Sequence, residues 1–192
     1  VLASLERAGR KAGGKGIFGW IKFLPWKDAS VAGQLLAGLT FFFGGIGGII
    51  NASAPLNQVI HNTTWVPGHF HLTVATASTL SFFAITFWLL PHLTGKKLIG
   101  PKMALATVWT WFVGMVIFSL GMHWLGLLGA PRRVPLAIAS YSLPEWFVPQ
   151  TLTGIGGVIL FVGGIFYYIV ILRTWLSRTA AAEPVEVPVA EA

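Results

Sequence analysis

The sequence predicts an all-α membrane protein with four transmembrane helices, and three observations carry that reading. Hydrophobic residues make up 55% of the chain and charged residues only 10%, and the mean hydropathy is +0.73, far from the balance of a soluble globular domain. Four apolar stretches, at about residues 31–50, 66–90, 103–125 and 148–176, are each long enough to cross the hydrocarbon core as a helix. The basic residues gather outside those stretches on alternate sides.

Residues 1–29 form a basic segment. It is broken by Gly13, Gly14 and Gly16 and carries an amphipathic stretch over 17–26 that suits a membrane interface, where it would serve as an anchor. It lacks the short apolar core and small-residue cleavage site of a signal peptide. The chain opens on Val rather than Met, so its start reads as an internal point of a longer polypeptide, or as a processed or split product. The first span ends in Gly44, Gly45, Gly47 and Gly48, a spacing of small residues that lets helices approach closely. The fourth span repeats the device with Gly156, Gly157, Gly163 and Gly164, which should also pack against another helix. Residues 30–178 are thus the four-helix membrane part. Residues 179–192, with Ala, Pro, Val and three Glu, have no amphipathic period and read as a disordered tail. No internal repeat suggests an inverted-repeat transporter.

Of the thirteen basic residues, eleven lie at 7–27, 96–102 and 173–178. By the positive-inside rule both termini and the 93–102 connection are cytoplasmic, with 51–65 and 126–147 on the outer side. Nucleic-acid binding is a poor reading of the +7 net charge for the same reason. Trp65, Trp124 and Trp146 suit an interfacial aromatic belt. The absence of cysteine excludes disulfides, iron–sulfur clusters and thiolate ligands. Any metal must therefore use His, Asp, Glu or Tyr.

His69 and His71 lie inside the second apolar stretch, where ionisable groups are costly and usually mark function. At about 100° per residue, positions i and i+2 diverge by roughly 200°, so the two imidazoles leave a regular helix on nearly opposite faces. Two ligands for one ion would instead sit at i and i+3 or i+4. The spacing suits two separate cofactors with Phe70 between them. On spacing alone, haem ligation, buried hydrogen-bonded histidines, and copper or another site all stay open.

The run His61-Asn62-Thr63-Thr64-Trp65-Val66-Pro67-Gly68-His69-Phe70-His71-Leu72, followed by Pro131-Arg132-Arg133 and preceded by the 13–26 loop, resembles subunit I of the haem-copper oxygen reductases. The likeness is strongest to the B-type cytochrome c oxidases. It covers roughly residues 2–178, and the four spans would be helices nine to twelve of a larger haem-copper oxidase bundle. The resemblance implies that His69 is the proximal ligand of a high-spin haem and His71 one of two ligands of a low-spin haem. Neutral imidazole is a good ligand for haem iron. It also implies that Arg132 and Arg133, the only basic residues of the outer side, hold haem propionates through charge-assisted bonds.

His61 resembles the family histidine near the high-spin haem propionate, a candidate acceptor of pumped protons. Two departures matter. Asn57 stands where B-type relatives carry an aspartate, and Asn62 where A-type relatives carry an aspartate that helps bind magnesium, which argues against a magnesium site and against a proton-sharing carboxylate at 57. His123, near the outer end of the third span, could make a polar contact at a haem edge. His92 reads as a helix-end group, and Tyr141 and Glu145 as outer-loop residues. Copper B would take ligands from outside this segment.

The implied partners are the remaining helices of subunit I, a copper-bearing subunit II, a c-type cytochrome donor, oxygen and the lipid membrane, with no nucleic acid. The implied place is the prokaryotic inner membrane. The implied activity is reduction of oxygen to water coupled to proton translocation. A nitric oxide reductase-type subunit shares a His-x-His helix but differs around it, and a haem-free helical bundle is the alternative of another class.

The charge pattern makes a direct prediction. Cysteines introduced at Ser53 and Ser140 should react with a membrane-impermeant reagent added outside, and Lys97→Cys should not. Labelling of Lys97→Cys alone would reverse the orientation.

Overall fold

The computed structural model describes residues 2–133 and 143–178. The expected disordered tail at 179–192, together with Ser140 and Tyr141, lies outside the described residues. Those residues form helices α1 (Leu2–Lys11), α2 (Ala29–Ala52), α3 (Ala54–Ile60), α4 (Trp65–Phe70), α5 (Thr76–Thr94), α6 (Pro101–Leu127) and α7 (Phe147–Leu176). A π-helical turn over His71–Ala75 joins α4 to α5, so 65–94 is one continuous span. With α2, α6 and α7 extended by the short turn Pro144–Trp146, four helices are long and apolar enough to cross a membrane. The expected spans lengthen by up to four residues per end, because caps and turn residues continue the helix past the last apolar side chain.

Local chemistry sets the ends. The Asp28 carboxylate accepts from the Ser30 and Val31 amides at 2.8 and 3.0 Å and starts α2. Gly95, at φ +61°, closes α5 in the left-handed conformation. Pro101 then opens α6 at a position where no amide is needed. The segment before α2, expected as an interfacial anchor, packs on the first span. Trp20 and Leu24 are buried against Leu35 of α2, leaving Ile17 and Phe18 exposed. Helix α1, which carries an Arg10–Glu6 ion pair of 2.7 Å, was not foreseen, because it is short and rich in charge, so a search for apolar spans passes over it despite its amphipathic pattern.

The buried core joins all four spans through Ala29, Ala32, Leu36, Ala37, Leu80, Phe83, Phe87, Ala104, Val108 and Val170. Small residues decide how close the helices come. Gly33 of α2 lies against Leu80 and Ala84 of α5, and Gly121 and Gly156 bring α6 and α7 into backbone contact. Of the glycines expected to pack on α7, Gly156 and Gly163 are buried facing α6, Gly157 touches only the Phe118 ring, and Gly164 meets nothing. The difference is rotational: neighbouring residues lie about 100° apart, and only one of each pair can face the same helix.

The ends of the bundle are tied separately. At one, Lys96 Nζ donates to the Trp175 carbonyl and the Ile99 amide to Thr174 Oγ1 at 3.0 Å. At the other, the chain after α6 pairs with the residues leading into α4: the Thr64 amide donates to Ala130 O and the Arg132 amide to Asn62 O, both at 2.9 Å.

A packing test follows from the α6–α7 contact. A Cβ at Gly156 would come within 2.8 Å of the Gly114 carbonyl, whereas one at Gly164 would meet nothing within 4 Å. Gly156→Val should destabilise the assembled protein by about 1–3 kcal/mol, seen as a lower melting temperature, and Gly164→Val should leave it unchanged.

Candidate functional site

The outer-loop end of the bundle, as the charge pattern assigns it, holds the sequence-selected residues. Asn62 sits at φ +63°, a conformation Asn tolerates better than most residues. It turns the chain from α3 into α4. Thr63 Oγ1 donates to Ile60 O at 2.7 Å and accepts from the Trp65 amide at 3.3 Å. Pro67 occupies the first turn of α4, where its missing amide costs nothing.

His71 turns toward α6, where its ring lies 4.9 Å from that of Phe118. Its Nδ1 is 2.6 Å from the Pro67 carbonyl. A carbonyl oxygen only accepts, so Nδ1 carries the proton and Nε2 keeps its lone pair, the tautomer a metal ligand requires. His69 turns the other way, toward α2: its Nδ1 would stand 2.9 Å from a Cβ at Gly47, and its Cε1 3.5 Å from one at Gly48. That Nδ1 is buried without a well-formed hydrogen bond, and the Gly44 carbonyl is the backbone acceptor it faces. Asn51 Oδ1 and Trp65 Nε1, at the same end of the bundle, are also buried without partners.

The two imidazoles therefore address different helices, although the segment is not the regular helix assumed from the spacing. The π turn begins at His71. Phe70, expected between the rings, lies 5.4 Å from that of His69 and is 52% exposed.

Side chains take up the carbonyls along this segment. Thr73 Oγ1 donates to His69 O at 2.9 Å, Thr76 Oγ1 donates to His71 O, and Ser119 Oγ of α6 donates to Gly68 O at 2.7 Å. His123, one turn beyond Ser119, donates from Nδ1 to the Ser119 carbonyl at 2.7 Å and stands edge-on to Trp65 at 4.5 Å. Its hydrogen bond stays within α6, and it is the ring contact with Trp65 that reaches α4. Sequence reasoning missed Ser119, Thr73 and Thr76. A serine four residues before a histidine in an apolar span, and two threonines just after a His-x-His, were the available signals.

Arg132 and Arg133 are brought to the entrance of the same segment. Pro131 pairs with Thr63, and Arg132 Nη2 donates to Asn62 Oδ1 at 3.3 Å. Among the described residues neither arginine has a carboxylate partner. Asn57 of α3 and His61, the cap that ends it, lie a turn apart, with the His61 amide donating to Asn57 O at 2.7 Å. The His61 imidazole is exposed and makes no hydrogen bond among the described residues. His92 stacks on Trp88 at 5.4 Å near the far end of α5. Glu145 lies in the turn before α7.

Comparison with known proteins bears on this arrangement. The sequence profile of the family described as Cytochrome C and Quinol oxidase polypeptide I matches residues 9–159. A cytochrome c oxidase subunit 1 of Thermus thermophilus is 45% identical over 190 residues, 98% of this chain and 34% of that protein. A second Thermus thermophilus cytochrome c oxidase subunit 1 sequence is 49% identical over 108 residues, 55% of this chain and 100% of that sequence. A heme-copper terminal oxidase dimer solved by cryo-electron microscopy superposes with a TM-score of 0.82 at 30% identity, over 96% of this chain and 34% of that one. The chain spans about a third of the length of the first of these relatives.

The Ser119 bond is open to test. Ser119→Ala leaves the Gly68 carbonyl without that donor and should lower the stability of the assembled protein by about 1 kcal/mol. An unchanged melting temperature would show that the bond carries no weight.

Proposed function

This chain belongs to the cytochrome c and quinol oxidase polypeptide I family, and from that premise we propose that His69 and His71 are axial ligands of two different haems in a terminal oxidase. His69 serves the high-spin haem and His71 the low-spin haem. The observation that carries the reading is the divergence of the two imidazoles from one segment, His69 toward Gly47 and Gly48 of α2 and His71 toward Phe118 of α6.

The residues present fit such groups. The Pro67 carbonyl holds His71 in the tautomer that leaves Nε2 free to ligate. The Nδ1 atom of His69 is buried facing the Gly44 carbonyl, beside two glycines that leave room for the ring. Bound there, the haems supply electron transfer and the place of oxygen reduction, with copper B held by residues outside this segment.

This chain's own side chains then have distinct tasks. The threonine and serine hydroxyls on the His69, His71 and Gly68 carbonyls fix the segment from which both ligands project. Arg132 and Arg133, free of protein carboxylates among the described residues, are available to neutralise haem propionates at the entrance to that segment. Asn62 sets the direction of Arg132 through its Oδ1, a task that replaces the metal-binding one of an aspartate there. His61, exposed at the same end, is the group able to accept a proton near neutral pH. Asn57 beside it cannot ionise, so His61 works without a neighbouring carboxylate.

The whole reaction is electron transfer from a c-type cytochrome, through a copper-bearing subunit II, to oxygen, with proton translocation across a prokaryotic inner membrane. Both termini lie in the cytoplasm. It requires the other helices of subunit I, since two haems, their further ligand and copper B exceed what this segment provides.

Visible spectra of variants in the assembled oxidase test the proposal. His69→Ala should abolish the carbon-monoxide-binding signal and retain low-spin absorption, whereas His71→Ala should disturb the low-spin spectrum. Loss of the same haem in both variants, with the other spared, would refute ligation of separate irons.

A further inference from the structure

Helix α2 turns a glycine stripe toward the histidine segment: Gly44, Gly47 and Gly48 lie at i, i+3 and i+4, on one helix face. The first meets Thr73 and the other two meet His69. A Cβ at Gly44 would overlap the Thr73 methyl. At Gly47 it would stand 2.9 Å from His69 Nδ1, with the ring's Cγ and Cε1 at 3.8 Å. At Gly48 it would stand 3.5 Å from Cε1 and 3.9 Å from Nε2, ordinary contact distances, and at Gly45 it would meet nothing within 4 Å. The imidazole thus lies along the stripe with its Nδ1 edge over Gly47. That Nδ1 faces the Gly44 carbonyl without a well-formed hydrogen bond, and the bare Cα of Gly47 leaves the clearance in which the ring takes this orientation.

An alanine at 47 could be accommodated in two ways. Either α2 moves away from the 65–94 span, or the ring turns. Separation of the helices is opposed by the Gly33 contact with Leu80 and Ala84 and by the Gly44 contact with Thr73, both on the same pair of spans. Two torsions govern the ring, and helical rotamer preferences restrict the first of them. Rotation of the ring is the lesser change, and it swings Nε2.

We infer that Gly47 is a positioning residue for His69: the missing side chain at 47 sets the rotation of the imidazole and hence the direction in which Nε2 presents its lone pair. The inference rests on the reading of His69 as a haem ligand. Gly48, one residue on along the same stripe, lacks this role because its clearance is already ordinary.

The experiment uses the assembled oxidase with Gly47→Ala, Gly48→Ala, His69→Ala and the double variant Gly47→Ala with His69→Ala. The readout is the iron–histidine stretching band of the reduced high-spin haem, with low-spin absorption as the measure of assembly. Gly47→Ala should shift or split the band while low-spin absorption is retained, and Gly48→Ala should leave both unchanged. An unmoved band in Gly47→Ala, while His69→Ala abolishes it, overturns the positioning role and leaves the ligand reading standing. So does an equal shift from Gly48→Ala. A band that survives His69→Ala refutes the ligand reading, and the positioning role falls with it. Should Gly47→Ala not assemble, the double variant decides: assembly equal to that of His69→Ala shows that the ring was the obstacle, and failure of the double variant overturns the inference.

Discussion

Backbone carbonyls inside an apolar bundle need partners, and at the histidine segment this requirement shapes everything nearby. A regular helix would satisfy each carbonyl with the amide four residues on. The π turn at His71–Ala75 breaks that regularity. Side chains then bond to carbonyls through the break: His71 to Pro67, Ser119 to Gly68, Thr73 to His69 and Thr76 to His71. π turns recur at functional sites because they redirect side chains within a continuous helix. Here the same bonds that satisfy the backbone also fix the His71 tautomer and anchor the segment to α6.

Close helix approach is the second condition. Hydroxyl-to-carbonyl bonds between helices need backbones near one another, and glycine permits this where lipid supplies no hydrophobic drive for association. Gly68 lets the His123 and Met122 positions of α6 reach α4, Gly126 admits Trp65, and Gly44 admits Thr73. The packing glycines and the site are therefore not separate features. A larger residue at any of these contacts would move a helix that carries part of the histidine environment.

The arginine pair depends on a third, local device. The chain after α6 pairs with residues 62–64 through two backbone hydrogen bonds, so Arg132 and Arg133 stand at the entrance of the span bearing the histidines although they lie some sixty residues away in sequence. Arg133 and Asn62 both adopt positive φ. That backbone shape folds the two loops against each other, with Asn62 holding the Arg132 guanidinium. A polar rim thus caps an otherwise apolar bundle.

Hydropathy and the local order of residue types are properties of sequence alone, and they determined the four spans to within a turn, the histidine pair and the arginine pair. The family likeness was legible for the same reason, since it resides in a contiguous motif. What the sequence did not determine was the environment of those residues. Regular helical geometry placed His69 and His71 on opposite faces, but it could not show a π turn starting at His71, because that turn exists through hydroxyls and carbonyls brought together by folding. It could not show which of Gly156, Gly157, Gly163 and Gly164 would be buried, since helix rotation is set by the partner helix. Nor could it connect Ser119 to Gly68, 51 residues apart. Burial in a membrane is written in composition, whereas the direction of a side chain and the identity of its hydrogen-bond partner arise only when helices meet.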